Sequence, residues 1–537
     1  TAMKKTLLVA VNARFSHTNL AVRSLKLALD AAGIPAAFAE YTINQPVREI
    51  LADIVSRAPG RLLFSCYIWN IRQVEQLGSE FRALFPDIPI LLGGPEVSFD
   101  PEDRLARYGW ADGILCGEGE PILAQVLSEP HPRGIFRASR FADLDALPFP
   151  YSDLTSLPNR VLYYESSRGC PYGCSYCLSS ADRTVRFRSL PLVFDDLQKL
   201  LDARVMQVKF VDRTFNLRPD RASAIWQYLA AHDNGYTSFQ MELGGDLTTP
   251  DQLRLLQTVR PGLFQFEIGV QSTCAAALAA AARPTDLQTL RDNVCTVGAF
   301  GNIHQHLDLI AGLPLEGFER FAQSYDEVFE MRPHQLQLGF LKLLRGSRLY
   351  EQREQYGLVY SETPPYEILQ TPQLSFHEIC RIKRVEEMTE LYYNSGRFQN
   401  QLACLLRDCP SPFRMFLALG ERMPAQNVGK YACYDLLFTF AVEQGCDPEV
   451  FSWLMRLDLC LHERPRRLPE HCAAGNEPRR RLLLPGKPGP QEWVELFPFD
   501  PLDPQHPQQE TLVRFDYTLR DPFGNASCTK IEPSQSA

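Results

Sequence analysis

Short apolar runs alternate with helical patterns up to about residue 350, and this alternation constrains the fold more than any other feature of the sequence. In the first part, each apolar run is followed by a helical stretch or a loop. The runs are KTLLVAV (5–11), AAFAEYTI (36–43), GRLLFSCYIWN (60–70), IPILLGGPEVS (88–98) and ADGILCGEGEPILAQVLSE (111–129). Five buried strands joined in this way predict a doubly wound parallel sheet. We place this domain at residues 4–135, followed by a linker at 136–158.

A second block of alternation follows the linker. Its strand candidates are RVLYYESSRGC (160–170), VMQVKFVD (205–212), SFQMELG (238–244), LFQFEIGV (263–270), IHQHLDLIAG (303–312) and QLQLGFLKLL (335–344). Six strands separated by helices predict a partial (β/α)6 barrel at residues 159–355. The site of such a barrel lies at the carboxyl ends of its strands.

The character of the sequence becomes mainly helical after the barrel, over residues 356–537. FHEICRIKRVEEMTELYYNSGRF (376–398) and YDLLFTFAVEQG (434–445) are the clearest helical patterns, and TLVRFDYTLRDPFG (511–524) predicts a terminal strand. A connector at 463–491, rich in proline and arginine, is expected to be a solvated flexible loop. Contact between its arginines and a polyanion is the weaker alternative.

Composition excludes several classes of protein. The net charge is −9 and the isoelectric point about 5.7, so the chain as a whole is not predicted to bind nucleic acid. No apolar run has the length of a bilayer span, and the first residues resemble a strand rather than a signal peptide. The 15 cysteines are therefore expected to be reduced thiols in a cytoplasmic protein, where a cluster of cysteines indicates a metal site.

One such cluster lies in SSRGCPYGCSYCLSS, where Cys170, Cys174 and Cys177 have the spacing C-x3-C-x2-C. The loop leaves the first barrel strand at its carboxyl end, where the barrel's site is expected. Three thiolates are too few for a four-ligand structural site. They suit a [4Fe–4S] cluster with one iron left open to a small ligand. Zinc with a distant fourth ligand is the alternative.

This motif, with Tyr176 before the last cysteine, is identified as the signature of the radical SAM family. The strings MELGG, EIGVQS, AARPT and HLDLIAGLP resemble those of its coproporphyrinogen-oxidizing branch. The resemblance implies that S-adenosylmethionine (SAM) chelates the open iron, with Glu242 at its amine, Arg283 at its carboxylate and Asp308 at its ribose. Tyr176 and Gln271 complete the implied SAM set. Asp212 and Asn216, in FVDRTFN, are candidates for the substrate side or plain turn formers, and Glu267 is either a site residue or structural.

Polar and glycine residues follow the strands of the first domain, where ligands of doubly wound sheets bind. They are Asn12, Ser16, His17, Ser65, Tyr67, Trp69, Gly93, Gly94, Pro95, Glu96, Gly117 and Glu118. LLGGPEVS and GILCGEGE resemble the cobalamin-binding Rossmann-like domain of one radical SAM subgroup, so these residues are implied to contact cobalamin. Some cobalamin-binding domains ligate cobalt through the His of a D-x-H-x-x-G motif. That motif is absent here, since Asn12 and Arg14 replace its Asp and His, and His17 is the remaining candidate ligand of cobalt. A structural flavodoxin-like domain is the alternative.

The resemblance implies an α/β enzyme, similar to cobalamin-binding radical SAM enzymes that end in a domain of unknown function. It implies a methyltransferase acting on an unactivated carbon through a 5′-deoxyadenosyl radical and methylcobalamin. An electron donor such as flavodoxin or ferredoxin is implied, and the substrate remains open among small molecule, peptide and RNA. The first alternative uses both cofactors without methyl transfer, for a rearrangement, ring contraction or reduction. The second is a non-catalytic iron–sulfur or zinc module.

Overall fold

A computed structural model gives the fold and describes residues 5–157, 159–424, 428–484, 486–502, 509–521 and 524–532. The chain divides into two compact units. The first comprises residues 1–318 and 339–376, and the second comprises residues 319–338 and 377–537. The first predicted α/β domain lies in the first unit, as does the second except for its residues 319–338.

The first sheet confirms the predicted doubly wound domain and adds a sixth strand. Its strands are β1 (Thr6–Asn12), β2 (Ala36–Thr42), β3 (Arg61–Ser65), β4 (Ile90–Gly93), β5 (Gly113–Cys116) and β6 (Gly134–Arg137). Its helices are α1 (Leu20–Ala31), α2 (Val47–Ser56), α3 (Ile71–Leu84), α4 (Pro95–Ser98), α5 (Pro101–Arg107) and α6 (Leu123–Val126). The strands are parallel in the order β2-β1-β3-β4-β5-β6. The chain therefore reverses direction across the sheet between β1 and β3, where such folds bind ligands.

β1 shows why these strands are apolar throughout. Leu7, Val9 and Val11 join the hydrophobic core on one face of the sheet, whereas Leu8 and Ala10 join the core on the other face. A strand covered by helices on both faces buries every side chain. The sixth strand escaped prediction because GIFR is short and only half-buried.

The second sheet confirms the six predicted barrel strands. The strands of this region are β7 (Val161–Tyr164), β8 (Ser167–Arg168), β9 (Arg186–Phe187), β10 (Gln207–Phe210), β11 (Ser238–Leu243), β12 (Phe264–Gln271), β13 (His304–Ala311) and β14 (Gln335–Phe340). The helices are α7 (Leu190–Asp202), α8 (Pro219–Ala231), α9 (Pro250–Leu256), α10 (Ala275–Ala280), α11 (Leu287–Phe300), α12 (Phe318–Phe329) and α13 (Arg348–Glu351). The sheet order is β14-β13-β12-β11-β10-β7, and the pairs from β7 to β13 are parallel. β8 and β9 form a separate antiparallel pair at the base of the cysteine loop.

The first unit ends with β15 (Val359–Tyr360) and β16 (Ile368–Gln370). The following helices are α14 (Phe376–Met388), α15 (Gln399–Leu405), α16 (Pro412–Arg422), α17 (Lys430–Glu443), α18 (Pro448–His462) and α19 (Glu477–Leu483), with a π-helical turn at Thr389–Asn394. β17 (Glu492–Phe497), β18 (Thr511–Arg520) and β19 (Ala526–Ile531) then form an antiparallel sheet. In the described ranges, no helix is both long and apolar enough to cross a membrane.

The prediction of a flexible connector is wrong at α19. Asn476 caps this helix by accepting a hydrogen bond from the Arg479 amide. Arg480 is buried and donates a hydrogen bond of 3.0 Å to the Val494 carbonyl on β17. The arginine-rich composition indicated a solvated segment, although one of its arginines, Arg480, is buried in the second unit.

Candidate functional site

The cysteine loop lies between β8 and β9, and hydrogen bonds of its backbone fix its conformation. Gly169 has φ +90°, and a Cβ there would lie 2.3 Å from the Thr184 carbonyl oxygen, so only glycine fits. The Cys170 amide donates to the Asp182 carbonyl (3.1 Å), and the Ser175 amide donates to the Ala281 carbonyl (2.8 Å).

Cys170, Cys174 and Cys177 are free thiols that line one cavity of about 170 Å³ at the carboxyl edge of the barrel sheet. Burial raises the pKa of the Cys170 thiol. Within the described part of the chain, no three or more His, Cys, Asp or Glu side chains are grouped as ligands of one metal ion. The structure thus brings the three predicted cluster ligands to one cavity.

All five residues predicted to bind SAM line this same cavity: Tyr176, Glu242, Gln271, Arg283 and Asp308. Glu242 lies at the end of β11, and burial raises the pKa of its carboxyl to about 7, although the charge of Arg213 acts in the opposite direction. Among the described residues, none makes a hydrogen bond or ion pair to Glu242 that the structure records. Such a carboxylate suits a cationic ligand.

Gln271 is placed by an irregular strand end. The pairing of β12 with β13 shifts register between Gly269 and Gln271, and Gln271 has φ +69°. Bulges and left-handed residues other than glycine concentrate at functional sites. The buried Oε1 atom of Gln271 has no hydrogen-bond partner, which leaves it available to a ligand.

Arg283 connects the predicted SAM set with the cysteine loop. Its Nη2 donates to the Gly269 carbonyl (2.5 Å), and its Nη1 lies 3.7 Å from Cys174 Sγ. The Nε atom is buried without a partner. A Cβ on Gly269 would lie 2.2 Å from Gln271 Nε2 and 3.3 Å from Arg283 Nη2, so glycine at this position leaves room for both side chains.

Asp308 lies on β13, where its Oδ1 is 3.1 Å from Nε2 of His306. Burial raises the pKa of Asp308, whereas the carboxylate of Asp308 raises the pKa of His306 against the effect of burial. Glu267, which was either functional or structural on sequence grounds, lines the cavity and also accepts from Lys209 Nζ at 3.0 Å. It is therefore both part of the wall and part of an ion pair.

A larger cavity of about 680 Å³ lies at the carboxyl ends of the first sheet. Nine of the twelve residues predicted to contact cobalamin line it: Asn12, His17, Ser65, Tyr67, Trp69, Gly93, Gly94, Gly117 and Glu118. Tyr67 and Trp69 are stacked, with ring centroids 4.3 Å apart. His17 Nδ1 lies 2.6 Å from the hydroxyl of Tyr163 on β7. Arg213 and Glu242 line both cavities, so the two cavities meet at these side chains.

Three predicted cobalamin residues lie outside the lining of this cavity. Ser16 accepts a hydrogen bond at its carbonyl from the Val161 amide (2.7 Å). Pro95 is the first residue of α4. The Glu96 carboxylate is buried against Arg104 (2.9 Å) and the Tyr366 hydroxyl.

The two substrate-side candidates contact the protein backbone. Asp212 accepts from the Ser166 amide (3.1 Å) and from the Ser167 hydroxyl (2.7 Å), just before the cysteine loop. Asn216 exchanges hydrogen bonds of 2.9 Å with the backbone of Gly244 at the end of β11. Neither residue lines a described cavity.

Sequence reasoning missed the barrel residues that reach the larger cavity. They are Tyr163, Glu165, Arg168, Lys209, Val211 and Arg213. Lys209, Val211 and Arg213 are alternate residues along and beyond β10, and alternate residues of a strand face the same side. The alternation of side chains along β10 was therefore the signal that could have identified these residues as part of the wall of the larger cavity.

Comparison with known families agrees with this arrangement. Residues 6–127 match the B12 binding domain, residues 164–328 the Radical SAM superfamily, and residues 354–482 a protein of unknown function (DUF4080). The chain thus combines a B12 binding domain with a radical SAM domain. The third match agrees with the expected resemblance of the end of the chain to a domain of unknown function.

Curated relatives of this chain include two methyltransferases. The cobalamin-dependent radical SAM methyltransferase TokK of Streptomyces tokunonensis is 26% identical over 58% of this chain and 51% of its own length. The 2-(S-pantetheinyl)-carbapenam-3-carboxylate methyltransferase of Streptantibioticus cattleyicolor is 24% identical over 56% of this chain and 50% of its own. The chain thus spans about half the length of these relatives.

Two solved structures share the fold. The cobalamin-dependent SAM radical enzyme OxsB, with aqua-cobalamin and SAM bound, has a TM-score of 0.57 at 14% identity, covering 85% of this chain and 79% of that chain. The methyltransferase TsrM from Kitasatospora setae, with cobalamin and a [4Fe–4S] cluster bound, has a TM-score of 0.55 at 17% identity. The second match covers 67% of this chain and 78% of that chain.

Proposed function

We propose that this protein is a cobalamin-dependent radical SAM methyltransferase that methylates an unactivated carbon. The observation that carries the proposal is the junction of the two cavities at Arg213 and Glu242. One cavity holds the three cysteines, and the other lies at the switch point of a sheet that matches a B12 binding domain. A substrate at the junction would face both cofactors.

The residues present fit these cofactors. Cys170, Cys174 and Cys177 would hold a [4Fe–4S] cluster with one iron open to SAM. The unpartnered Glu242 would bind the ammonium group of SAM. Arg283 would bind the SAM carboxylate, because a guanidinium fork matches a carboxylate. Gln271 has a buried oxygen that lacks a hydrogen-bond partner, and it would bind a remaining polar group of SAM together with the Asp308 carboxylate, which also faces His306.

Corrin binding would depend on shape. The volume of about 680 Å³ lies within the range of cofactor pockets. Gly93 and Gly94 let the β4 backbone form part of the wall, and Tyr67 with Trp69 presents a flat aromatic surface. His17 also lines this cavity, and its Nδ1 lies 2.6 Å from the Tyr163 hydroxyl, so the imidazole would lie beside a corrin bound there.

When bound, the reduced cluster and SAM supply a 5′-deoxyadenosyl radical, and methylcobalamin supplies the methyl group. The chain's own residues orient SAM through Glu242 and Arg283 and enclose the radical site. The required electron would come from a donor such as flavodoxin or ferredoxin. We propose a small-molecule substrate, because the name of the carbapenam relative states such a substrate for that protein.

A label-transfer experiment tests the proposal before the substrate is known. Protein loaded anaerobically with iron, sulfide and hydroxocobalamin is reduced and given methyl-deuterated SAM. We expect deuterated methylcobalamin with an equal amount of S-adenosylhomocysteine, and slower release of 5′-deoxyadenosine. Release of 5′-deoxyadenosine with no label in the corrin would instead support the alternative without methyl transfer. Absence of all three products would support a non-catalytic module.

A further inference from the structure

Two arginines face each other at the base of the cysteine loop. Arg168 on β8 is directly opposite Arg186 on β9 in the antiparallel register. Like charges directly opposite each other destabilise an antiparallel pair. The hairpin that carries Cys170, Cys174 and Cys177 is therefore unfavourable unless anions lie beside its base.

The B12-binding domain supplies two of those anions, from the loop after β5. Glu120 accepts from both terminal nitrogens of Arg168, at 2.7 and 3.4 Å. Glu118 accepts from both terminal nitrogens of Arg186, at 2.6 and 3.2 Å, and lies 3.4 Å from Arg168 Nη1. Paired contacts of this kind fix the orientation of a guanidinium as well as its position.

The barrel supplies the remaining anions. Arg168 Nε donates to Glu165 (2.8 Å), and Arg186 Nη2 donates to Asp182 (3.1 Å). The carbonyl of Asp182 in turn accepts from the Cys170 amide at 3.1 Å. The network thus runs from the loop after β5 to the backbone of the first cluster cysteine.

Burial distinguishes this network from a surface ion pair. The side chains of Arg168 and Glu120 are 14% and 10% exposed, and both line the larger cavity. Glu118 lines that cavity too, so the same carboxylates form part of the proposed corrin wall. Multidentate, partly buried pairs constrain geometry where isolated surface pairs contribute little.

We propose that Glu118 and Glu120 position the cysteine loop through Arg168 and Arg186, so that the corrin wall and the cluster loop are held as one unit. Arg168 is a positioning residue for radical generation. This inference rests on the proposed function for the identity of the two cofactors. It predicts that a change in the B12-binding domain alters the cluster loop, although Glu120 is 50 residues before Cys170 in the sequence.

Hydrogen–deuterium exchange of the cofactor-free protein tests the mechanical part. Glu120→Gln and Arg168→Gln should each speed amide exchange in residues 169–185 by roughly ten- to hundredfold, the range expected for losing hydrogen bonds between charged groups. The double variant should exchange no faster than the stronger single variant, since both changes remove the same contact. Arg168→Lys should fall between, because it keeps the charge and loses the fork.

Arg82→Gln is the matched control. Arg82 pairs with Asp112 in the same domain at similar side-chain exposure, 22% and 15%, and lines neither cavity. Exchange in residues 169–185 should be unchanged in this variant. Wild-type exchange in Glu120→Gln, or equal acceleration in Arg82→Gln, would overturn the proposal.

The reacting protein supplies a second readout. With iron content unchanged, Glu120→Gln should shift the electron paramagnetic resonance spectrum of the reduced cluster with SAM and slow release of 5′-deoxyadenosine by about tenfold. A wild-type spectrum and rate in this variant would overturn the proposal. Neither measurement needs methyl transfer, so an enzyme that cleaves SAM without methylating would refute the methyltransferase and leave this inference standing.

Discussion

The cavity beside the cysteine loop is lined by thiols, carboxylates and a guanidinium, whereas the wall of the larger cavity on the first sheet includes glycines, aromatic rings and apolar side chains. The smaller cavity has buried polar atoms without partners on Gln271 and Arg283. Several polar residues at the larger cavity are paired with one another, as Glu120 is with Arg168. The smaller cavity is therefore suited to a ligand that makes specific hydrogen bonds, whereas the larger cavity is suited to a ligand that fits its shape.

This difference predicts how each site fails. Removing a ligand or a charge from the smaller cavity leaves a cofactor group unpaired, which is costly in a buried site. Removing one contact from the larger cavity loses a small share of a wide apolar surface. Added bulk is therefore the more damaging change on the first sheet.

The largest effect is expected from Cys174→Ala. This change leaves two thiolates for a cluster that uses three, so anaerobic reductive cleavage of SAM should fall to background. The measurement is 5′-deoxyadenosine released per bound iron, by chromatography. Cys295→Ala is the control, because Cys295 is exposed and lines neither cavity. A Cys174→Ala protein that still releases 5′-deoxyadenosine would contradict the assignment of the cluster.

Glu242→Gln should weaken SAM binding by roughly ten- to hundredfold, the range for losing one hydrogen bond to a charged group. Burial raises the pKa of Glu242 to about 7, and only the ionised carboxylate attracts the ammonium of SAM. Affinity in the wild type should therefore rise between pH 6 and 8, and this rise should flatten in the variant. Calorimetric titration with SAM measures both effects. The control is Glu49→Gln, on the exposed side of α2, and an unchanged pH profile in Glu242→Gln would contradict the role of Glu242.

Gly93→Leu should reduce cobalamin retention by about tenfold, because burying or displacing a side chain of this size changes binding by about 1–3 kcal/mol. A Cβ on Gly93 meets only ordinary contacts, at 3.8 Å from the Leu115 carbonyl, and the side chain would extend into the cavity. Gly94 is a poorer probe, since its Cβ would lie 2.5 Å from the Cys66 carbonyl and distort the strand end. Visible spectra measure retained corrin, with Gly109→Leu as the control in open space. Full retention by Gly93→Leu would place the corrin elsewhere.

The two sites also differ in how far the sequence predicted them. The sequence motifs around Cys170, Glu242 and Asp308 predicted specific side chains at the ends of specific barrel strands. All eight residues predicted to bind the cluster or SAM line one cavity. Only three of the twelve cobalamin candidates lie outside the larger cavity. A wall made by backbone approach and apolar contact tolerates many residue types, so it leaves little trace at single positions.

The elements of the fold were likewise predictable only where they leave a local pattern in the sequence. Apolar runs flanked by helices predicted the strands of both sheets, because burial on both faces dictates composition. The short β6 was missed because it is only half-buried. The β8–β9 pair was missed because it places two arginines opposite each other, beside Glu118 and Glu120 from a distant part of the sequence. Ion pairs between segments far apart in the sequence have no local periodicity.

The smallest expected effect on function belongs to Glu96, a cobalamin candidate that the structure places on Arg104 and Tyr366 rather than in the cavity lining. Glu96→Gln removes a buried charge from this pair and should lower the free energy of unfolding by about 1–3 kcal/mol, measured as a lower thermal midpoint. Cobalamin retention should match the wild type at temperatures where the variant stays folded. Tyr366→Phe removes the hydroxyl that donates to Glu96 and should lower the midpoint in the same direction. Loss of corrin from Glu96→Gln at an unchanged midpoint would show that the wall of the larger cavity extends to α4, and that single side chains matter there as they do beside the cysteines.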